Sequence, residues 1–384
     1  MRILHISSED ELYGSAKCLK ELILEELKCG VEPVVLTPFK SEINRFCDQN
    51  GVVNYSVKYM GFLYFSHDFL SPVKYTLRKI QYNILKRRSF KEACAKINMT
   101  SVDLVHTNNA GYDIGYLLAR EFNKKHVWHL REGGLKHFNF KPYYREVGKY
   151  MSEGADNFIA VSEFVKKEWI KLGIPGKKIK VLYDGVSENG VKSPIRSGKV
   201  ENTRFIMCGS IMKAKGQMTV IQYFNHFPKN ILRNVELYLF GSKEGKDYND
   251  ALSFVKKNNL EKVVFFKGYT DDIWEELSKY DFAINYSNAE AFGRVTVEYM
   301  MAGLPVIAVD TGANRELLGK YGIIIKKDDE NQFASAVINA ISRKAEYKQQ
   351  TEEISQYAKS KFSAENNLKE IINYFEGIIS AGDN

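Results

Sequence analysis

Residues 281–310 read DFAINYSNAEAFGRVTVEYMMAGLPVIAVD. FAIN is a short apolar run of strand length, the residues after it are small or polar and end in glycine, RVTVEYMM has helical spacing, and LPVIAV is apolar again. Strand, loop, helix and strand in that order form the βαβ unit of a parallel sheet. The first strand ends near Ser287 and the helix begins at about Gly293. Glu290 therefore lies in the loop at the strand's carboxyl end, and Glu298 one to two turns inside the helix. Doubly wound sheets bind ligands at that edge, and the backbone N–H groups around Phe292 to Val295, at a helix start, suit an anion. A carboxylate on each side of an anion cradle fits a sugar diphosphonucleoside, with Glu290 toward hexose hydroxyls and Glu298 toward ribose hydroxyls. In a plainer reading, Glu290 caps the helix and Glu298 faces solvent.

The same alternation runs outward in both directions. RILHIS, PVVLTP, VDLVHTN, KHVWHL, NFIAVS and KIKVLY read as strands separated by helical patterns; after residue 200 the rhythm restarts with TRFIMCGS, VELYLFGS, VVFFKGY, DFAINYS, PVIAVD and GIIIKK. A chain of 384 residues exceeds one ordinary core and suits two. The expected fold class is α/β, two tandem doubly wound domains: 1–187, a linker at 188–202 rich in Gly, Ser and charge, and 203–364. The final helix, from about 365 to 384, spaces Leu368, Ile371, Ile372, Tyr374, Phe375 and Ile378 on one side and needs a surface to bury against.

Composition narrows the function classes. The formal charge of +8 favours anionic partners without choosing among them; no zinc-finger spacing or RNA-recognition signature accompanies it, so no nucleic-acid partner is expected. Five cysteines, widely spread and never in C-x-x-C spacing, suggest neither disulfides nor a zinc site and read as small buried hydrophobes. The N-terminus lacks the pattern of a secretory signal and no run approaches the ~20 apolar residues of a membrane span, which gives a cytoplasmic expectation. One stretch breaks the rhythm: residues 59–91 begin dense in aromatics and continue as a helix carrying Lys74, Arg78, Lys79, Lys86, Arg87, Arg88 and Lys91. Either its aromatics pack onto the domain and its charges are solvated, or it is a basic, aromatic surface that touches an anionic membrane, peripherally at the inner face of the plasma membrane, or a lipid-linked acceptor.

The run SNAEAFGRVTVE, followed by MMAGLPVIAVDTG and Glu316, resembles the E-x7-E signature of the retaining glycosyltransferases of family 4, the group 1 type. That resemblance implies the GT-B architecture: two Rossmann-like domains with a cleft between them and a last helix crossing back to the N-terminal domain. It implies a nucleotide-sugar donor held mainly by the C-terminal domain and an acceptor bound by the N-terminal one. By that likeness Glu290 contacts the donor sugar, Ala291, Phe292 and Gly293 lend backbone N–H groups, and Glu298 binds ribose. CGSIMKAKGQ resembles the family's G-R-L-x-x-x-K-G, which makes Lys215 the diphosphate-binding lysine and puts Ser210 where the family has arginine. Arg294 could supply the missing charge. Gly268 and Tyr269, with Lys267, match the segment that reads the base. ELYGSAKCL resembles the glycine-rich loop after the first strand, with Gly14 near the diphosphate and Tyr13 in place of a usual glycine. DLVHTNNAG and HVWHLREGG end strands on the cleft: His129 is expected to contact sugar, His106, Asn108 (where many members carry histidine) and Arg131 lie on the acceptor side, and Arg131 and Glu132 either shape that side or pair with one another.

Departure of the diphosphate limits such transfers, so leaving-group stabilisation by Lys215, the helix start and Arg294 is the main chemical task. No D-x-D ends a strand; Asp271-Asp272 reads as a helix N-terminal pair, and no cofactor or metal is expected. The expectation is transfer of a hexose-type sugar, from UDP by family habit, to a glycan or lipid-linked acceptor in surface polysaccharide assembly. A dehydrogenase is disfavoured because G-x-G-x-x-G is absent. The alternative is a nucleotide-sugar-binding scaffold or partner subunit without activity, suggested by Ser210 and Asn108.

Overall fold

The computed structural model describes residues 1–7, 14–65, 72–137, 139–155, 157–188, 202–270, 272–288 and 290–381. Tyr13, Asp271, Ala289, nearly all of the expected linker and residues 66–71 of the aromatic stretch lie outside the described residues. The chain divides into two compact units, 1–185 with 364–384, and 186–363.

In the first unit the strands are β1 (Arg2–Ile6), β2 (Glu32–Thr37), β3 (Val53–Ser56), β4 (Leu63–Phe65), β5 (Leu104–Thr107), β6 (Lys125–Leu130), β7 (Phe140–Pro142), β8 (Asn157–Ala160) and β9 (Ile179–Val181). Seven pair in parallel in the order β3-β2-β1-β5-β6-β8-β9. Such a sheet is covered on both faces, which is why its strands read as nearly continuous apolar runs. One face carries Ile3, Leu104, Val127 and Ile159 against the C-terminal helix Ala364–Ser380, whose Leu368, Ile371, Ile372, Phe375 and Ile378 are buried there. That helix has found the surface its spacing called for.

The stretch from 59 to 91 resolves into two parts. Tyr59, Phe62 and Tyr64 at its start are internal: Tyr59 donates to the carbonyls of Ser7 and Leu36 at 2.7 and 2.9 Å, Phe62 and Tyr64 are buried, and β4 pairs antiparallel with β7, an addition not read from the sequence. The helix Pro72–Lys96 follows, buried only at Tyr82, Ser89 and Ala93. The cysteine expectation needs one correction, since Cys29 is exposed at the end of the first helix while Cys18 and Cys47 are buried.

The second unit contains β10 (Thr203–Cys208), β11 (Val235–Phe240), β12 (Val264–Gly268), β13 (Phe282–Asn285), β14 (Val306–Val309) and β15 (Gly322–Ile325), all parallel in the order β12-β11-β10-β13-β14-β15. Phe205, Phe224, Phe282 and Phe333 lie in its core. The strand order reverses between β10 and β13, and in doubly wound sheets the loops leaving the carboxyl ends of the two strands at that reversal diverge to form a ligand crevice. Here those loops are 209–216 and 286–293.

Candidate functional site

Lys215 and Glu290 meet across that reversal. Lys215 ends a short 3-10 turn, Lys213–Lys215, in the loop after β10; Glu290 stands in the loop after β13. The lysine Nζ donates to Glu290 Oε1 at 2.6 Å, with side-chain exposures of 34% and 14%. Both loops are held from beneath. Gln217, buried, donates through its amide to the carbonyls of Ser210 and Gly209 and accepts from the Met212 N–H. Asn288 N–H donates to the Ala214 carbonyl at 2.8 Å and ties one loop to the other. A Cβ on Gly216 would lie 2.4 Å from the Tyr286 carbonyl oxygen, so this close approach requires glycine, which also supplies φ +75 for the turn.

A buried amide network sets Glu290 from the other side. Asn285, the last residue of β13, donates to Thr296 Oγ1 at 2.6 Å and Asn314 Oδ1 at 3.2 Å, and accepts from the Ser287 N–H at 3.0 Å. Asn314 donates to the Val309 carbonyl, Thr311 Oγ1 donates to the Ser287 carbonyl at 2.6 Å, and the Ala313 N–H donates to the carbonyl of Glu290 itself at 2.9 Å. The loop after β14 thus grips the loop that carries the carboxylate. The sequence signal for this grip is Thr311-Gly312-Ala313-Asn314, a turn glycine with Thr before it and Asn two residues after it at a strand end.

The helix Arg294–Met301 starts with Gly293 as its N-cap at φ +87. Arg294 does not face solvent: its Nε lies 3.7 Å from Glu298 Oε1, one turn on, and both side chains are about seven-eighths buried, at 14% and 12% exposure. Ser210, where the resemblance expects arginine, is exposed. At the end of β12, Gly268 takes φ +92 and its carbonyl accepts from the Gly241 N–H, while Tyr269 is 78% exposed. Asp272 caps the next helix by accepting from the Glu275 N–H. Phe292 is buried, against Phe362, and Ala291 beside it is partly buried.

The N-terminal candidates occupy the first unit. Gly14 is exposed at the start of its helix with open space where a Cβ would be. His106, Asn108 and His129 are buried. Asn108 accepts from Arg131 Nε at 3.1 Å and donates to the Ser15 carbonyl. Arg131 pairs with Asp184 and not with the Glu132 carboxylate: its Nη1 reaches both Asp184 oxygens at 2.5 Å, whereas Glu132 accepts from the backbone N–H groups of Arg131 and Ala110. Burial pushes the Glu132 carboxyl up to about 7 and holds His106 and His129 well below the usual imidazole range, with Arg131 adding to the effect on both.

Comparison with known proteins follows this division. The family described as Glycosyltransferase Family 4 matches residues 14–189, and that described as Glycosyl transferases group 1 matches residues 193–361. An uncharacterized glycosyltransferase of Methanocaldococcus jannaschii, MJ1069, is 23% identical over 70% of this chain and 72% of its own length. The N-acetylgalactosamine-N,N'-diacetylbacillosaminyl-diphospho-undecaprenol 4-alpha-N-acetylgalactosaminyltransferase of Campylobacter jejuni is 25% identical over 42% of this chain, a match that spans 43% of that protein. Among solved structures, Anabaena Alr3699/HepE in complex with UDP superposes with a TM-score of 0.79 at 19% identity, covering 98% of this chain and all of the other.

Proposed function

The chain belongs to the family 4, group 1 glycosyltransferases, and on that premise we propose that it moves a hexose-type sugar from UDP to a glycan or lipid-linked saccharide, with retention of configuration and without a metal. The observation that carries this reading is the Lys215–Glu290 pair at the strand-order reversal of the second unit. Each partner has the charge that one half of a nucleotide-sugar needs. The Lys215 ammonium exchanges one carboxylate oxygen for the more highly charged diphosphate, and Glu290, released, accepts from sugar hydroxyls; a hydrogen bond to a charged group contributes about 1.5–3 kcal/mol. The start of the helix Arg294–Met301 and the Arg294 guanidinium complete the anion site. A helix terminus alone adds only ~0.3–2 kcal/mol, so the lysine dominates. Glu298 takes the ribose hydroxyls, and Gly268 and Tyr269 flank the base. The UDP in the Anabaena structure of like fold supports uridine as that base.

As the bond from the anomeric carbon to the diphosphate oxygen breaks, negative charge grows on that oxygen and Lys215 stabilises it. The acceptor hydroxyl attacks from the same face and passes its proton to the departing phosphate, so no protein nucleophile takes part. This stereochemistry rests on the family resemblance. Glu290→Gln tests the site: turnover of UDP-sugar falls on the order of 100-fold or more while UDP affinity is kept, and full activity in that variant contradicts the role given to Glu290.

A lipid-linked acceptor at an anionic membrane fits the helix Pro72–Lys96. Opposite its buried residues, Val73, Leu77, Ile80 and Ile84 form a stripe at helical spacing, each between 49% and 67% exposed. One more turn along the same side come Arg87, Arg88 and Lys91, all exposed, and residues 72–91 contain no acid. Scattered exposed aliphatics are ordinary, but a continuous stripe running into cations is the composition of a surface-bound amphipathic helix. The charges argue against a second copy as occupant, since like cations would face each other. This narrows the contact expected over 59–91 to an aliphatic and basic face, with Tyr59, Phe62, Tyr64 and Tyr82 buried. No described helix is long and apolar enough to cross a membrane. The C. jejuni relative, named for an undecaprenol-linked acceptor, supports the same assignment and a place in surface polysaccharide assembly at the inner face of the plasma membrane.

A further inference from the structure

On the covered face of the first sheet, one step beyond the apolar row Ile3, Leu104, Val127 and Ile159, stand His5, His106 and His129 on three adjacent strands. None has exposed surface. Burying a polar ring is costly unless it is bonded, and these rings bond to one another: His5 Nδ1 lies 2.9 Å from His106 Nδ1, and His106 Nε2 lies 3.1 Å from His129 Nδ1. Glu26 Oε2 closes one end, 2.9 Å from His5 Nε2. At the other end a guanidinium nitrogen of Arg131, which is anchored on Asp184, lies 3.5 Å from His129 Nδ1. Phe375 covers His106, with ring centroids 5.2 Å apart. His129 Nε2 is buried and has no hydrogen-bond partner among the described residues.

Burial and neighbouring cations keep His106 and His129 neutral, and a neutral imidazole donates from one nitrogen and accepts at the other. The row therefore has a direction. Arg131 offers only donors, which makes His129 Nδ1 an acceptor; His106 then donates from Nε2 and accepts at Nδ1 from the Nδ1–H of His5. One proton is left between His5 Nε2 and Glu26 Oε2, and one remains on His129 Nε2. If the Glu26–His5 pair held no such proton, His5 would donate to Glu26 from Nε2, every bond in the row would reverse, and an Nδ1–H on His129 would confront Arg131.

We propose that Arg131 at one end and the Glu26–His5 pair at the other are positioning residues, which together make His129 Nε2 a hydrogen-bond donor to a sugar oxygen at the carboxyl edge of the sheet. Only the identity of the ligand rests on the transfer reading above; the direction of the row is a property of the protein. Nothing in the local sequence around the three histidines announces it, although Glu26 stands in helical register with buried Leu19, Leu22 and Ile23, an unusual place for a carboxylate.

Long-range proton–nitrogen correlation on protein labelled with 15N-histidine reads the tautomers directly. At pH 7.5 the rings of His106 and His129 are expected to carry their protons on Nε2, and Glu26→Gln is expected to keep that pattern, because its amide can donate to His5 Nε2 in place of the shared proton. In the double variant Arg131→Met, Asp184→Asn, His129 is expected to populate the Nδ1–H form. A wild-type His129 protonated on Nδ1 overturns the proposal even if the double variant does not fold, and so does a folded double variant that stays wholly Nε2–H. With donor and acceptor sugars in hand, His129→Phe is expected to raise KM roughly tenfold with UDP affinity unchanged, and His129→Gln, whose amide can donate, to restore it; unchanged KM in His129→Phe removes the sugar contact. If the wild type transfers no sugar, the transfer reading fails and the tautomers still decide this one.

Discussion

A Cβ on Gly312 would lie 2.2 Å from the carbonyl oxygen of Glu290 and 2.7 Å from its nitrogen, in a backbone already at φ +59. Those atoms are backbone and cannot swing aside, so Gly312→Ala must push the Glu290 loop away from Lys215. We predict a loss of kcat/KM of roughly tenfold or more together with about 1–3 kcal/mol of stability, read from steady-state kinetics and thermal melts of the same preparation; normal kinetics would show that Glu290 tolerates displacement. The two charged residues of this site were legible because each stands in a run of distinctive length, EAFGRVTVE and KAKG. Their mutual bond was not. It joins residues 75 positions apart and depends on which strands are neighbours, a property that local spacing does not contain. For the same reason the sequence offered an Arg131–Glu132 pair as one of two readings and did not offer Asp184, 53 positions away, which holds the arginine.

At the scale of elements, the strand runs read from the sequence were found as strands, because a parallel sheet buried on both faces leaves an unbroken apolar signature. β3, β4 and β7 escaped: VNYS has little apolar character, and β4 and β7 are three residues each, paired across 77 positions. The helix Pro72–Lys96 was legible as basic, but the placing of Arg87, Arg88, Lys91 and its aliphatics on the outward side, with Lys86 turned inward onto Asp113, needed the position of its buried residues. Its stripe supplies a prediction. The wild type is expected to sediment with vesicles containing phosphatidylglycerol and not with phosphatidylcholine alone, and Ile80→Glu with Ile84→Glu to abolish that sedimentation without lowering the melting temperature, since both side chains are exposed. Equal binding to both lipids would leave the basic turn without a role, and binding by the double variant would remove the stripe from the membrane. A concentration-dependent dimer lost in the same variant would assign the face to a second copy instead.

For the whole molecule, acid stability is set unevenly. The first unit buries His126, which donates from Nδ1 to the Gly154 carbonyl at 3.3 Å and lies 2.9 Å from Thr107 Oγ1; burial pushes it from 6.5 down to about 4. The unfolded chain takes up a proton as pH falls below about 6.5 and the folded chain does not until about 4, so stability drops across that window by about 3 kcal/mol from this residue. His106 and His129 act in the same direction. Glu132 opposes them: its carboxyl, raised to about 7, keeps its proton in the folded chain after the unfolded chain has lost it near 4.5, which favours folding at the acid side of that range. Three imidazoles outweigh one carboxyl. Denaturant unfolding between pH 7 and 4 should show a steep net loss, flattened in His126→Gln and steepened in Glu132→Gln; parallel curves for all three proteins would mean these groups are solvated in solution.

The proposed function assigns the chemistry of the donor to the second unit, residues 186–363, and one measurement addresses that assignment directly: thermal stabilisation of the wild type and Lys215→Met by UDP, GDP, ADP and dTDP with EDTA present throughout. A ligand at ~100 times its Kd adds about 2.7 kcal/mol, enough for a clear rise in melting temperature. The Lys215–Glu290 site predicts that UDP raises the melting temperature of the wild type, that the other nucleotides do so weakly or not at all, and that most of the rise disappears in Lys215→Met. Equal stabilisation of both proteins, or none of the wild type by any nucleotide, would contradict it.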